Sequence, residues 1–81
     1  MGPTALDPDQ LQTVAMIGGT DEETRRIVEE ALNSIGVTSF IEGSVVDAVQ
    51  VYHRDYARAR AALQSDSRLA GRWIRYMDEP G

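Results

Sequence analysis

Apolar and polar positions alternate over residues 12–17, with Val14 and Met16 on one side and Thr13, Ala15 and Ile17 on the other. Both sides are rich in apolar residues, which predicts a central strand, and Gly18-Gly19 ends it. The period then becomes helical. Ile27, Val28, Ala31, Leu32 and Ile35 fall on one stripe. Thr20-Asp21-Glu22-Glu23 reads as a capping box that opens this helix on Thr20, and Gly36 stands where a left-handed C-terminal cap is expected. Residues 37–42 and 45–52 form a predicted hairpin about Gly43-Ser44. A two-residue turn sets Ile41 opposite Val46 and Phe40 opposite Asp47; a three-residue loop moves Phe40 beside Ala48. Alternation leaves both registers open, because a slip of one residue exchanges faces. In either register Val49 and Val51 share one side, assigned to the core, and Ala48, Gln50 and Tyr52 share the other. A second helix is predicted over residues 53–65, with Tyr56, Ala59, Ala62 and Leu63 inward and Arg54, Arg58 and Arg60 outward. A last strand covers residues 72–77, with Trp73, Arg75 and Met77 on one face and Ile74 and Tyr76 on the other.

Both helices close on nearly the same words, Ala31-Leu32-Asn33-Ser34 and Ala62-Leu63-Gln64-Ser65. The order strand, helix, strand, strand, helix, strand is the split plan of an α+β, ferredoxin-like βαββαβ two-layer sandwich. Such a fold has an antiparallel sheet ordered 4-1-3-2, the first and third strands central, and both helices on one face. The right-handed crossover is further expected to give those two central strands a parallel pairing. Residues 1–11, with Pro3 and Pro8, read as a mobile leader, residues 12–77 as one domain and residues 78–81 as a polar tail.

Charge divides the chain unevenly. Residues 1–50 carry a net charge of −7, residues 51–77 carry +4, and Asp78 and Glu79 bring the total to −5. All eight basic residues are Arg. Base composition of the gene is one cause; a need for planar, bidentate contacts is the other. The 81 residues contain no cysteine, so disulfides, thiolate metal sites and thiol nucleophiles are excluded. No apolar run is long enough to span a membrane and no basic-then-apolar leader is present, so a cytoplasmic protein is expected.

Candidate chemistry is sparse. Gly18-Gly19-Thr20 lies between a strand and a helix start, where phosphates bind, but Asp21, Glu22 and Glu23 follow and would repel an anion. His53 is the single histidine, and Asp55 beside it does not complete a metal site or a catalytic pair. Glu22-Glu23 and Glu29-Glu30 are sequence neighbours that do not face each other on a helix; Asp21 with Arg25 and Glu22 with Arg26 are the expected pairs. The acidic first helix and the Arg-rich second helix are expected to lie antiparallel, side by side, and to neutralise each other. No cofactor, metal or catalytic residue is assigned.

One longer passage carries a resemblance. Val51-Tyr52-His53-Arg54-Asp55-Tyr56-Ala57-Arg58-Ala59-Arg60-Ala61-Ala62-Leu63 resembles the closing segment of a family of small bacterial signal-transducing domains related in fold to the PII nitrogen regulators. Asp55, Ala59 and Arg60 match its Asp-x-x-x-Ala-Arg helix. Glu30-Ala31-Leu32-Asn33-Ser34-Ile35-Gly36-Val37 resembles its Leu-x-x-x-Gly-Ile passage into the second strand. The likeness covers residues 13–65. Where the family has Pro at the start of the second helix, Tyr52 and His53 stand here, and a fourth strand with Trp73 is not a family trait. The resemblance implies a regulatory or interaction module and no active residues.

The expected working surface is the uncovered side of the sheet. Val46, Ala48 and Tyr52, with Ile17 and Trp73, would leave an apolar patch there. The expected function is a non-enzymatic regulatory or protein-interaction module, homodimeric through Ala48, Gln50, Tyr52, Trp73 and Arg75. Two other classes use the same face. One is a small dimeric α/β-barrel enzyme with Gln50, Tyr52 and Arg75 turned into a shared cavity. The other is a single-stranded nucleic-acid binder stacking bases on Tyr52 and Trp73 beside the arginines.

Overall fold

The computed structural model describes residues 7–77. Strand β1 (Leu11–Gly18) leads to helix α1 (Glu22–Ser34), followed by β2 (Ser39–Gly43) and β3 (Val46–Tyr52). A 3-10 turn (His53–Asp55) feeds α2 (Tyr56–Ser65), and a second one (Ser67–Leu69) precedes β4 (Ile74–Tyr76). The four strands form one open sheet in the order β2-β3-β1-β4, and every neighbouring pair is antiparallel. The expected parallel pairing of the first and third strands is therefore corrected. The α1 crossover carries the chain past the neighbouring position to β2, and the hairpin return lays β3 in the gap. The strands joined by that crossover, β1 and β2, are co-directional but are not neighbours.

Both helices bury their apolar stripes on one side of this sheet. Ile27, Val28, Ala31 and Leu32 from α1 and Tyr56, Ala59 and Leu63 from α2 join Ala15, Ile17, Val49 and Val51 in a single core. Ile41, Ile74 and Tyr76 pack against its margin. Val49 and Val51 of β3 are on the core side, as alternation predicts. In β1 simple alternation fails. The pairing with β3 shifts between Thr13, opposite Gln50, and Ala15, opposite Val49, so Val14 is an extra residue. Such a bulge lets two consecutive side chains take the same side. Val14 and Ala15 are both fully buried, and Met16 goes to the opposite face. Ile17, expected on the open face, is fully buried.

The hairpin register is neither of the two expected. Phe40 pairs with Gln50, Ile41 with Val49 and Gly43 with Asp47. Phe40 still shares a face with Ala48, as the three-residue loop implied, but two residues further along. Asp47, buried on the helix side, meets a glycine across the strand instead of Phe40. The last strand is shorter than its alternating pattern: Arg72 and Trp73 stand outside it, and it begins at Ile74. The leader reading covers Met1 to Leu11, and its first six residues lie outside the described ones, as does the tail at residues 78–81. Residues 7–10 form a turn tied to the sheet end, where His53 N–H donates to Gln10 O at 2.8 Å and Arg54 N–H to Pro8 O at 3.1 Å.

The ends of α1 follow from local chemistry. The N-cap is Asp21, one residue later than the expected Thr20. Its carboxylate accepts from Thr24 N–H at 3.1 Å and from the Thr24 hydroxyl at 2.6 Å. The chain is still turning at Thr20, because Asp21 N–H donates back to Gly18 O at 3.2 Å. At the other end Val37 N–H reaches Leu32 O at 2.9 Å and Gly36 N–H reaches Asn33 O at 3.0 Å, with Gly36 at φ 75°. This is the Schellman arrangement, with Val37 and Leu32 both buried as its apolar contact. Ile35, assigned to the inner stripe, is instead the partly exposed C-cap.

Two glycines are required for different reasons. Gly19 donates its N–H to Val45 O at 3.0 Å, and a Cβ there would fall 2.1 Å from Ser44 O. The turn after β1 is thus docked backbone-to-backbone on the β2–β3 loop. At Gly36 a Cβ has open space, and only the positive φ argues against it. Gly36→Ala should therefore lower unfolding free energy by about 1 kcal/mol. Gly19→Ala should lower it by roughly 2–4 kcal/mol, because backbone on both sides must move. Chemical denaturation of the two variants measures the difference, and equal losses would contradict the docking.

Candidate interaction face

The side of the sheet away from the helices is built from alternate residues of all four strands. Directly paired residues point the same way, so the register defines rows across it. Glu42, Ala48, Met16 and Arg75 form one row, from β2 through β3 and β1 to β4. Phe40, Gln50 and Thr13 form the next, and Tyr52 with Leu11 the one beyond. Phe40 and Tyr52 are diagonal neighbours whose rings meet edge to face, with centroids 5.8 Å apart at 83°. Arg54 lies over the other ring, its guanidinium carbon 4.6 Å from the Tyr52 centroid, and is ion-paired with Asp9. Tyr52 is thus fixed between an aromatic edge and a cation.

Of the five residues expected here, the register brings Ala48, Gln50, Tyr52 and Arg75 onto one face. Trp73 is 56% exposed but sits just before β4, outside the paired rows. Leu11, Met16, Phe40 and Glu42 belong to the face and were not anticipated. For Met16 the signal is hidden by the bulge, and for Phe40 and Glu42 by the open hairpin register. Leu11 was placed in the leader, although it continues the apolar pattern of β1.

The helix side is electrostatically committed. Arg68 donates to Glu30 on α1 at 2.8 Å and to Asp66 at 2.9 Å, and Arg72 reaches Glu23 at 3.0 Å and the Thr24 hydroxyl at 3.3 Å. The acids of α1 are therefore met by the segment after α2, and not by α2 as expected. Within that region Arg58 is held by Asp55 at 2.7 Å. The predicted pairs of Asp21 with Arg25 and Glu22 with Arg26 are replaced by Arg25 with Glu29 at 3.9 Å and Arg26 with Glu30 at 3.1 Å, since Asp21 is occupied by Thr24. Among the described residues, Arg60 and Arg75 make no ion pair.

Other concavities offer little chemistry. A shallow cleft of about 440 Å³ lies between the end of α2 and β4, lined by Leu63, Asp66, Leu69, Arg72, Ile74 and Tyr76. Its carboxylate and guanidinium are both engaged, by Arg68 and Glu23. Burial, and then the charge of Asp66, raise the Tyr76 phenol above its ordinary value. His53, half-buried, donates from Nδ1 to Gln12 Oε1 at 2.6 Å. Among the described residues no cluster of three metal-ligating side chains is present, and no helix is long and apolar enough to cross a membrane.

Compared with known proteins, the chain matches no family model, no curated protein and no solved structure. Its own geometry is what bears on function.

Three carboxyls are held below the usual range. Asp21 is lowered by the Thr24 hydroxyl and then its amide; Glu30 and Asp66 are lowered first by hydrogen bonds from Arg68. A carboxyl lowered by folding adds stability above its unfolded pKa and loses it as pH falls through the folded value. Thermal midpoints should therefore hold near neutrality and drop as pH falls below about 4. In Arg68→Leu the drop should be shallower, because Asp66 and Glu30 each lose the donor that lowers them most. Melting curves from neutral to acid pH check this, and an acid drop of wild-type depth in that variant would count against it.

Proposed function

We propose that this protein is a non-enzymatic interaction module of regulatory type, working as a homodimer through the open face of its sheet. The observation that carries the reading is that the face presents Leu11, Met16, Phe40 and Tyr52 together, with both helices on the other side. Large apolar side chains gathered on one side of a small domain mark an interface. A second copy is the occupant chosen because the face carries both an acid, Glu42, and a base, Arg75, and can complement itself.

The same reading takes the fold as ferredoxin-like. Its support is the strand order, which read from the β4 edge is 4-1-3-2, together with both helices packing on one face. The likeness of residues 13–65 to signal-transducing domains agrees with a regulatory role in the cytoplasm. The barrel-enzyme reading is less favoured, because the middle of the face is Ala48 and Met16, its uncharged polar members are Gln50, Thr13 and Tyr52, and Glu42 and Arg75 stand apart at its two edges. The nucleic-acid reading is less favoured because Arg54, Arg58, Arg68 and Arg72 are each paired with an acid.

Four strands about 4.8 Å apart and seven residues of about 3.4 Å give a face on the order of 400 Å² in plan. That is small beside the roughly 800 Å² per partner of a standard interface, so a dissociable dimer is expected. Sedimentation from micromolar to submillimolar concentration should show a monomer–dimer equilibrium. Tyr52→Ala should weaken it about tenfold while leaving the helical circular dichroism intact. A monomer at every concentration would overturn the reading.

A further inference from the structure

The row Glu42–Ala48–Met16–Arg75 determines how a second copy can sit. We infer that the dimer two-fold axis runs along the strands, so that each Glu42 meets Arg75 of the second copy. This rests on the homodimer reading above and specifies its geometry. Glu42 is on the β2 edge and Arg75 on the β4 edge, at the two ends of one row on the open face. Both side chains are exposed, and neither makes an ion pair among the described residues.

When two sheets pack face to face about a two-fold axis, the axis lies in the plane between them. Two orientations keep the strands of the two copies aligned. An axis across the strands lays each strand over its own copy. At this row it puts Glu42 over Glu42 and Arg75 over Arg75, and moved along the strands it leaves both charges unmatched. An axis along the strands lays β2 over β4 and β3 over β1. It forms the Glu42–Arg75 contact twice, once at each edge.

The remaining rows agree with the second arrangement. Ala48 falls over Met16 of the second copy, a small side chain against a long one. Gln50 falls over Thr13, an amide against a hydroxyl, and Tyr52 over Leu11, a ring against an aliphatic chain. Aligned sheets pack about 10 Å apart with strands within about 30° of each other, so rows near the centre stay close to superposed. Long Glu and Arg side chains can bridge that gap at the rim. Rim ion pairs choose orientation more than they add affinity, which is the role assigned here.

Charge exchange tests the axis separately from the dimer. Sedimentation of Glu42→Arg and of Arg75→Glu should each show association weakened about tenfold, since each change sets like charges together at both edges. The combined variant Glu42→Arg/Arg75→Glu should return to within a few-fold of wild type, because the pairs re-form with reversed sign. Glu42→Gln and Arg75→Gln, which remove charge without adding repulsion, should weaken association by a smaller factor and serve if a reversal fails to fold. Wild-type association should also decline as salt is raised. A wild-type dimer indifferent to all four single changes would overturn the axis and leave the open-face reading standing. Single reversals that weaken without recovery in the combined variant would overturn the pairing. A wild-type chain that never associates would remove both.

Discussion

Backbone hydrogen bonds between β1 and β3 run the length of both strands, from Leu11 opposite Tyr52 to Gly18 opposite Val46. Every other element is placed by that pair. The α1 crossover returns its stripe onto Ala15, Ile17 and Val49; the hairpin adds β2 outside β3; and α2 covers the valines before β4 closes on the other side of β1. A strand pair offers two faces, and because both α-helices of the described residues pack on the same one, the other remains without cover. Burial of apolar surface is the main favourable term in folding. A domain of this size has little to spare. Leaving Phe40, Tyr52, Leu11 and Met16 outside the core is therefore a substantial concession, and the proposed interaction rests on it.

Much of this was legible in the residues. The helical stripes, the Gly36 cap and the side chosen by Val49 and Val51 follow from period and conformational preference alone. Those signals are local, so a single sequence carries them. Most of the failures were non-local. Nothing in Thr13-Val14-Ala15 announces a bulge, because the extra residue is defined only by its partner strand. The hairpin register depends on Gly43 meeting the chain after the loop, where a Cβ would fall 2.1 Å from Val46 O. Asp21 displaced Thr20 as the cap because Thr24, three residues on, can donate from both its amide and its hydroxyl. Four of the five expected face residues were found by alternation within a strand. Leu11 apart, which continues the apolar pattern of β1, the missed ones required knowing what lay across from them.

The arginines illustrate how far composition misleads about surface. A basic second half suggests a polyanion site, yet Arg68 and Arg72 close the segment after α2 onto α1, and Arg54 is shared between Asp9 and the Tyr52 ring. Planar guanidinium groups suit this bridging, since one head can serve a carboxylate and a second acceptor together. Their cost in desolvation is small because most remain partly wet. The result is a helix side most of whose charges are mutually occupied and a sheet side that is left comparatively plain.

The bulge at Val14 makes the outer face of this protein indifferent to one residue of chain length in β1. Losing Val14 would restore simple alternation, with Thr13 still on the open face opposite Gln50 and Ala15 still on the core side opposite Val49. Leu11, Met16 and Ile17 would keep their places as well, and a single buried side chain would leave the core. In evolutionary terms a codon can be gained or lost here without redrawing the outer face. Descendants of such a chain can adjust the packing beneath the helices by an insertion or deletion while presenting the same surface to a partner.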